Sequence, residues 1–227
     1  MERFAAIDFE IANGKRSSIC CIGVAIIEDN KVIDSVYTLV RPYPNFYTRF
    51  TTAIHGITMQ DTIDSPDFEE AWARIAGRLQ DIPLVAHNSS FDEGCLRAAH
   101  EAYDLAYPKY QFYCTCRLSR RMYPFLVNHQ LQTVAAHCGY DLTYHHHAMA
   151  DAYACAHIAA TMMREKGVER LCDLCRGRCV RSLRLTCPSL LLAGDLVYHD
   201  CNRPVACHVA SSPETVHRDV KGDHQRL

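Results

Sequence analysis

An α/β fold, with a mixed sheet flanked by helices, is what this sequence predicts, and three observations carry the prediction. Three strand-like runs open the chain, the second and third rich in β-branched residues, helical and strand-like segments then alternate as far as Gly167, and 48% of the 227 residues are hydrophobic. That content is enough for one substantial core, and the order of elements implies a meander extended by further strands and covered by helices.

"RFAAIDFE" reads as the first strand, with "SSICCIGVAIIED" and "KVIDSVYTLVRP" as two more, joined at Asp29-Asn30 by a tight turn into an antiparallel meander. "YPNFYTRFTTAIHGIT" is expected to be a long irregular connection. Ser65-Pro66 then announces a helix through "DFEEAWARIAGRLQ", proline being tolerated in a first turn. Pro83 opens "PLVAHN", a short apolar run suited to a buried strand, and the serines after it can cap the helix "FDEGCLRAAHEAY". "QFYCTC" follows as a fifth strand, "RLSRRMY" as a short basic helix, and "QLQTVAAHCGY" as a helix ending at Gly139. The last clear helix, "AMADAYACAHIAATMMREK", is stopped by Gly167.

Beyond Gly167 neither period is sustained, so residues 1–167 are expected to form one domain and 168–227 a Cys-rich tail, poorly structured or a small appendage. Cys172 and Cys175 have the spacing of half a zinc site, but Cys179, Cys187, Cys201 and Cys207, with His199 and His208, supply no second half at regular spacing. An incidental tail is therefore expected, whose Arg176, Arg178, Arg181 and Arg184 could extend contact with a nucleic-acid backbone. A formal net charge of -2 excludes a globally basic chain that coats nucleic acid, though not a small cleft that grips a strand end. The start "MERFAAIDFE" lacks the basic residues and apolar run of a signal peptide, and no apolar stretch approaches the ~20 residues needed to cross a bilayer. The expectation is a cytoplasmic protein without membrane association, its 13 cysteines mostly reduced.

The chemistry lies in acids and histidines. Asp8 and Glu10 stand two apart at the end of the first strand, so both carboxylates emerge on one face of the sheet. An acid pair on a helix-covered face is costly unless something cationic neutralises it, whereas a strand end reaching solvent is the bland account. Asp92 falls in the first turn of the helix after the buried strand, where the macrodipole favours an acid. Asp151 lies in the first turns of the Ala-rich helix, just after the histidine run His145-His146-His147.

Asp8-Phe9-Glu10, "HNSSFD" ending at Asp92, and "HHAMADA" containing His146 and Asp151 resemble the three motifs of the DEDDh 3′→5′ exonucleases, a family that includes the epsilon proofreading subunit of bacterial replicative DNA polymerase. The likeness runs from Phe4 to about Lys166 and takes in "IHGIT", Ile54 to Thr58. It implies a ribonuclease H-like fold, an antiparallel three-strand meander plus parallel strands. It also implies that Asp8, Glu10, Asp92 and Asp151 hold two divalent ions. An all-oxygen set suits Mg²⁺ or Mn²⁺. The implied reaction is release of nucleoside monophosphates from a single-stranded or frayed 3′ end, with DNA the first choice and RNA the runner-up. Proofreading would need a polymerase partner in trans, whereas in repair or RNA turnover the chain would act alone. A catalytically weak nucleic-acid-binding module of the same fold is the alternative from another class.

The general base poses a conflict. Helical phase favours His147, four residues before Asp151, whereas the family spacing "H-x-A-x-x-D-A" selects His146, which must then sit in the loop ahead of the helix. His146 is the expected base, and His145 has no role. A zinc site made of the three adjacent histidines is not expected, because successive side chains diverge. By the same resemblance Phe9, Ile11, His55 and Phe91 line the pocket for the terminal nucleotide, with a core role the alternative for Phe91 and loop packing that for His55, and Ile11 departs from the family's usual Thr or Ser. His87 reads better as a strand-end histidine bonded to backbone, Asn88 as orienting the loop before Asp92, and Arg117, Arg120 and Arg121 as a solvated basic face.

Overall fold

A computed structural model describes residues 1–176, together with the backbone of two short strands at 196–198 and 204–206. β1 (Phe4–Ile11), β2 (Ile19–Glu28) and β3 (Lys31–Leu39) form the antiparallel meander. Asp29 and Asn30 close its hairpin with φ of 49° and 65°. Both lie in the left-handed region that matches a two-residue turn to the twist of the strands. Helices α1 (Arg49–His55), α2 (Met59–Thr62) and α3 (Phe68–Ala76) lead to β4 (Leu84–Ala86), then α4 (Ser90–Ala102) and β5 (Phe112–Cys114). Four more helices complete the body: α5 (Thr115–Met122), α6 (Leu131–His137), α7 (Ala148–Lys166) and α8 (Leu171–Cys175). The sheet order is β3-β2-β1-β4-β5, with β4 parallel to β1 and β5 parallel to β4. This is the mixed, helix-flanked sheet that the sequence predicts.

The period of two in β1 divides the core. Ala5, Ile7 and Phe9 pack under α3 and α4 with Phe68, Trp72 and Leu96, while Phe4 and Ala6 pack under α6, α7 and α8 with Val134, Ile158 and Leu171. Asp8 and Glu10 continue the Phe4-Ala6 row, so they belong to the α7 face. α7 is buried along most of its length and ends at Gly167, whose φ of 62° stops it.

Several elements differ from expectation. The stretch 43–58 is not irregular throughout, because α1 lies within it and α2 follows it directly, both held by caps. Thr48 Oγ1 accepts the Thr51 N–H at 3.2 Å, Gly56 closes α1 at φ 77°, and the Asp61 carboxylate accepts the Thr58 N–H at 2.7 Å. Such caps stabilise helices too short and too β-branched to show a period. β4 and β5 are three residues each, and Thr115 and Cys116 already belong to α5. Ser89 stands at the N-cap of α4 without a side-chain capping bond. Helical structure resumes beyond Gly167 in α8, whose Leu171 and Leu174 are buried. β6 (Leu196–Tyr198) and β7 (Pro204–Ala206) pair antiparallel as a separate two-stranded sheet. Cys172 and Cys175 are free thiols, while Cys179, Cys187, Cys201, Cys207, His199, His208 and Arg178, Arg181 and Arg184 lie outside the described residues. Among the described residues no helix is long and apolar enough to cross a membrane.

Candidate active site

Because β1 and β4 run parallel, their C-terminal ends open on the same edge of the sheet, the edge where open α/β sheets place ligands. After β4 the chain turns at Asn88, which adopts φ 70° and accepts the Phe91 N–H on its carbonyl at 2.9 Å. Asparagine tolerates that left-handed geometry, and the turn brings α4 back over β1. Asp92, 2% exposed, then accepts the Phe9 N–H on Oδ1 at 3.2 Å.

α7 reaches the same edge because of Gly23, the β2 partner of Asp8. A Cβ at Gly23 would stand 2.3 Å from the carbonyl carbon and oxygen of Ala148 and 2.6 Å from the Met149 nitrogen. Only glycine lets the first turn of α7 lie directly on the sheet there. Three residues on, Asp151 is 4% exposed, and its amide donates to the His147 carbonyl at 3.0 Å. One carboxylate oxygen each from Asp8, Glu10 and Asp151 lies within 4.8 Å of the others.

Burial raises all four acids, and repulsion from the neighbouring acids adds to it at Asp8 and Glu10. Burial first, then Asp92, Glu10 and Asp151, hold the Asp8 carboxyl well above the usual carboxylate range. Burial, with Asp151 and Asp92, pushes Glu10 up to about 8. Asp92 is raised well above its ordinary value by burial, against the opposing bond from the Phe9 amide, and Asp151 is raised by burial against the opposing bond from His145. The group is an all-oxygen donor set with uncompensated charge, which fits a hard divalent cation.

The histidine run sits in the loop ahead of α7. His146 takes the left-handed φ of 66° and donates its N–H to Asp151 Oδ2 at 3.0 Å. His145 Nδ1 lies 3.3 Å from Asp151 Oδ1, a contact that sequence reasoning missed. His147 occupies the N-cap and stacks on Tyr37 of β3, ring centroids 4.8 Å apart and 9° from parallel. Burial, then His145, lowers the His146 pKa below its ordinary 6.5.

These groups line a cleft of about 550 Å³ that holds Asp8, Glu10, Asp151, His145 and His146 together with Phe9, Ile11, His55 and Phe91. All four residues of the expected nucleotide pocket are therefore on its wall, and His147 is not. His55 Nδ1 accepts the Ile57 N–H at 3.0 Å, so the proton is on Nε2, which donates to the Ile11 carbonyl at 3.2 Å. The neutral ring thus ties α1 to β1, consistent with a pKa lowered by burial. Phe50, 75% exposed, and Ile54 line the same wall one helical turn apart, and Gln130 and Gln132 face it from the start of α6. Sequence reasoning missed these; the i, i+4 pair Phe50 and Ile54 was the available signal.

His87 donates from Nε2 to the His129 carbonyl and lies 2.9 Å from Thr115 Oγ1, and burial lowers its pKa to about 4. That is a strand-end histidine satisfied by backbone. Arg117, Arg120 and Arg121 are not on the cleft wall, and Arg121 instead donates to the Cys175 carbonyl at 2.9 Å. A larger cavity of about 660 Å³, lined by residues 81–83 and 108–111, opens at the opposite end of the parallel strands and gathers no carboxylate cluster among the described residues.

Comparison with known proteins places this geometry. The family model described as RNase_T, exonuclease, matches residues 5–159. The PolC-type DNA polymerase III of Halalkalibacterium halodurans is 30% identical over 139 residues, 61% of this chain and 10% of that protein. That of Bacillus subtilis is 29% identical over 147 residues, 63% of this chain and 10% of that protein. The chain thus spans about a tenth of the length of these curated relatives. Among solved structures, exonuclease X in complex with 5′ overhanging duplex DNA superposes with a TM-score of 0.62 at 25% identity, covering 75% of this chain and 98% of that one. The nuclease domain of 3′hExo, a DEDDh family member bound to rAMP, gives 0.64 at 17% identity, covering 73% of this chain and 92% of that one. Fold, motif order and family match agree: the chain belongs to the RNase_T exonuclease family, among the DEDDh-type 3′→5′ exonucleases.

Proposed function

We propose that residues 1–167 form a metal-dependent 3′→5′ exonuclease that releases nucleoside monophosphates from a single-stranded or frayed 3′ end, preferring DNA. The observation that carries this reading is the convergence of Asp8, Glu10 and Asp151 within 4.8 Å, beside His146, in one open cleft. Asp8, Glu10, Asp92 and Asp151 would hold two Mg²⁺ or Mn²⁺ ions. When bound, these would act as Lewis acids on the attacking and leaving oxygens of the scissile phosphodiester.

The chain supplies the rest. His146, with its lowered pKa, is mostly neutral at pH 7 and takes the proton of the attacking water. The N–H of His146 fixes the Asp151 carboxylate, and the Phe9 amide fixes that of Asp92, so both acids are oriented before substrate arrives. Phe9, Ile11, His55 and Phe91 receive the terminal nucleoside, with apolar and stacking contacts that accept any base. Among the described residues no lysine or arginine lines the cleft, which suits a grip on one strand end rather than on a long duplex.

The PolC-type relatives, in which the matched stretch is about a tenth of a polymerase chain, support DNA as substrate and association with a polymerase, and free cysteines suit a cytoplasmic setting. The test uses matched 5′-labelled DNA and RNA single strands with Mg²⁺, Mn²⁺ or EDTA. Stepwise shortening from the 3′ end, faster on DNA and abolished by EDTA, is expected. Faster shortening of RNA would make the protein an exoribonuclease, and binding without shortening would make it a binding module.

A further inference from the structure

Adjacent histidines were expected to diverge, yet two of them converge. The rings of His145 and His146 stack with centroids 3.8 Å apart and planes 25° from parallel. One nitrogen of each, with one carboxylate oxygen of Asp151, lies within 4.8 Å of the others. The backbone is the cause: the left-handed φ of 66° at His146 breaks the alternation of an extended chain and leaves the two rings on one side. His147, held against Tyr37, stays out of the group.

We propose that His145, His146 and Asp151 form a second metal site, which takes a borderline transition ion such as Zn²⁺ and whose occupation switches the nuclease off. The inhibitory half rests on the reading of His146 as general base; the binding half does not. Two imidazoles and one carboxylate discriminate against Mg²⁺ and favour Zn²⁺, Co²⁺ or Ni²⁺. Three protein donors with an open fourth position are a common zinc arrangement, and bonds of about 2.0–2.1 Å require the donors to close in by roughly 1 Å. Both histidines are exposed, so side-chain rotation alone can supply that movement. Asp8 and Glu10, at the edge of the group, add negative potential that attracts any divalent ion. An ion here occupies the imidazole lone pair that His146 needs to accept a proton. It also draws Asp151 away from the carboxylate cluster.

The experiment is a Co²⁺ titration of tag-free full-length protein, followed by its visible spectrum and by displacement with Zn²⁺. The wild type is compared with His145→Ala, His146→Ala and Asp8→Asn. The expected result is one tight equivalent of Co²⁺ with nitrogen and oxygen ligation, distinct from any all-oxygen binding in the carboxylate cluster, weakened about tenfold or more by either histidine change and retained in Asp8→Asn. A spectrum dominated by thiolate charge transfer and unchanged in His145→Ala would put the ion on cysteines and overturn the site. Binding lost in Asp8→Asn but kept in His145→Ala would put the ion in the carboxylate cluster and overturn the site equally. The spectrum needs no turnover, so it judges the site even if the chain proved inactive. In a parallel nuclease assay with Mg²⁺ in excess, Zn²⁺ should inhibit the wild type at concentrations that leave His145→Ala at its own zinc-free rate. Equal inhibition of the two would overturn the switch.

Discussion

Replacing Gly23 by alanine perturbs the site from outside it, because Gly23 does not line the cleft and meets Asp8 only as its backbone partner across β1 and β2. Its added carbon would lie 2.3 Å from the Ala148 carbonyl carbon and oxygen and 2.6 Å from the Met149 nitrogen, all backbone atoms that cannot rotate aside. Ordinary carbon contacts begin near ~3.5 Å, so the first turn of α7 must lift by about 1 Å. Overpacking of this kind costs about 1–3 kcal/mol. In a domain of this size each kcal/mol lowers Tm by about 2–4 °C. The activity should suffer more than the stability, since α7 carries Asp151 and its preceding loop carries His146. A displacement of about 1 Å in a catalytic constellation costs about 100-fold in rate. Urea unfolding and single-strand exonuclease rates, measured beside Gly77→Ala, read both effects. Gly77 has φ -62° and its added carbon would meet open space, so that variant should melt and cleave like wild type. A Gly23→Ala protein indistinguishable from Gly77→Ala would refute the seating of α7 on β2.

The choice between motif spacing and helical phase predicts that His146→Ala loses about 10²–10⁴-fold in kcat. His147→Ala, whose ring only stacks on Tyr37, should change little; the reverse order in a single-turnover assay would make His147 the base. In EDTA, the contribution of the carboxylate cluster to stability should fall as pH rises. Glu10 titrates near 4.5 in an ordinary setting and about 8 in the fold, so its protonated form favours folding below pH 4.5 and that contribution is lost as pH climbs through 8. Asp8 and Asp92, raised in the same direction, add to it. Thermal melts should therefore show a larger Mg²⁺ or Mn²⁺ stabilisation at pH 8 than at pH 5, and a pH-independent metal effect would contradict the unbalanced cluster.

Local periodicity made the scaffold legible and left the assembly of the cleft obscure. Asp8 and Glu10 could be put on one face because a strand repeats every two residues, and α7 could be bounded because Gly167 stops it. α1 escaped notice because seven residues with Thr51 and Thr52 give no helical period, although Thr48 and Gly56 mark both of its ends. The wall residues Gln130 and Gln132 could not be found by pattern, since they meet Phe50, eighty positions away, only through the order β3-β2-β1-β4-β5. The bond from His145 to Asp151 depends on one left-handed residue, His146, and nothing in three consecutive histidines says which of them will turn.

The most direct test of the proposed site is the rate at which a 5′-labelled single strand shortens with Mg²⁺, compared between wild type and Asp8→Asn. Asp8 lies at the centre of the cluster, feeling Asp92, Glu10 and Asp151 together. Asparagine keeps its shape while removing the charge. The account predicts a ladder of products growing from the 3′ end in the wild type and none in the variant, with the variant folded and melting at or above the wild-type temperature in EDTA. Equal ladders from both proteins would contradict it.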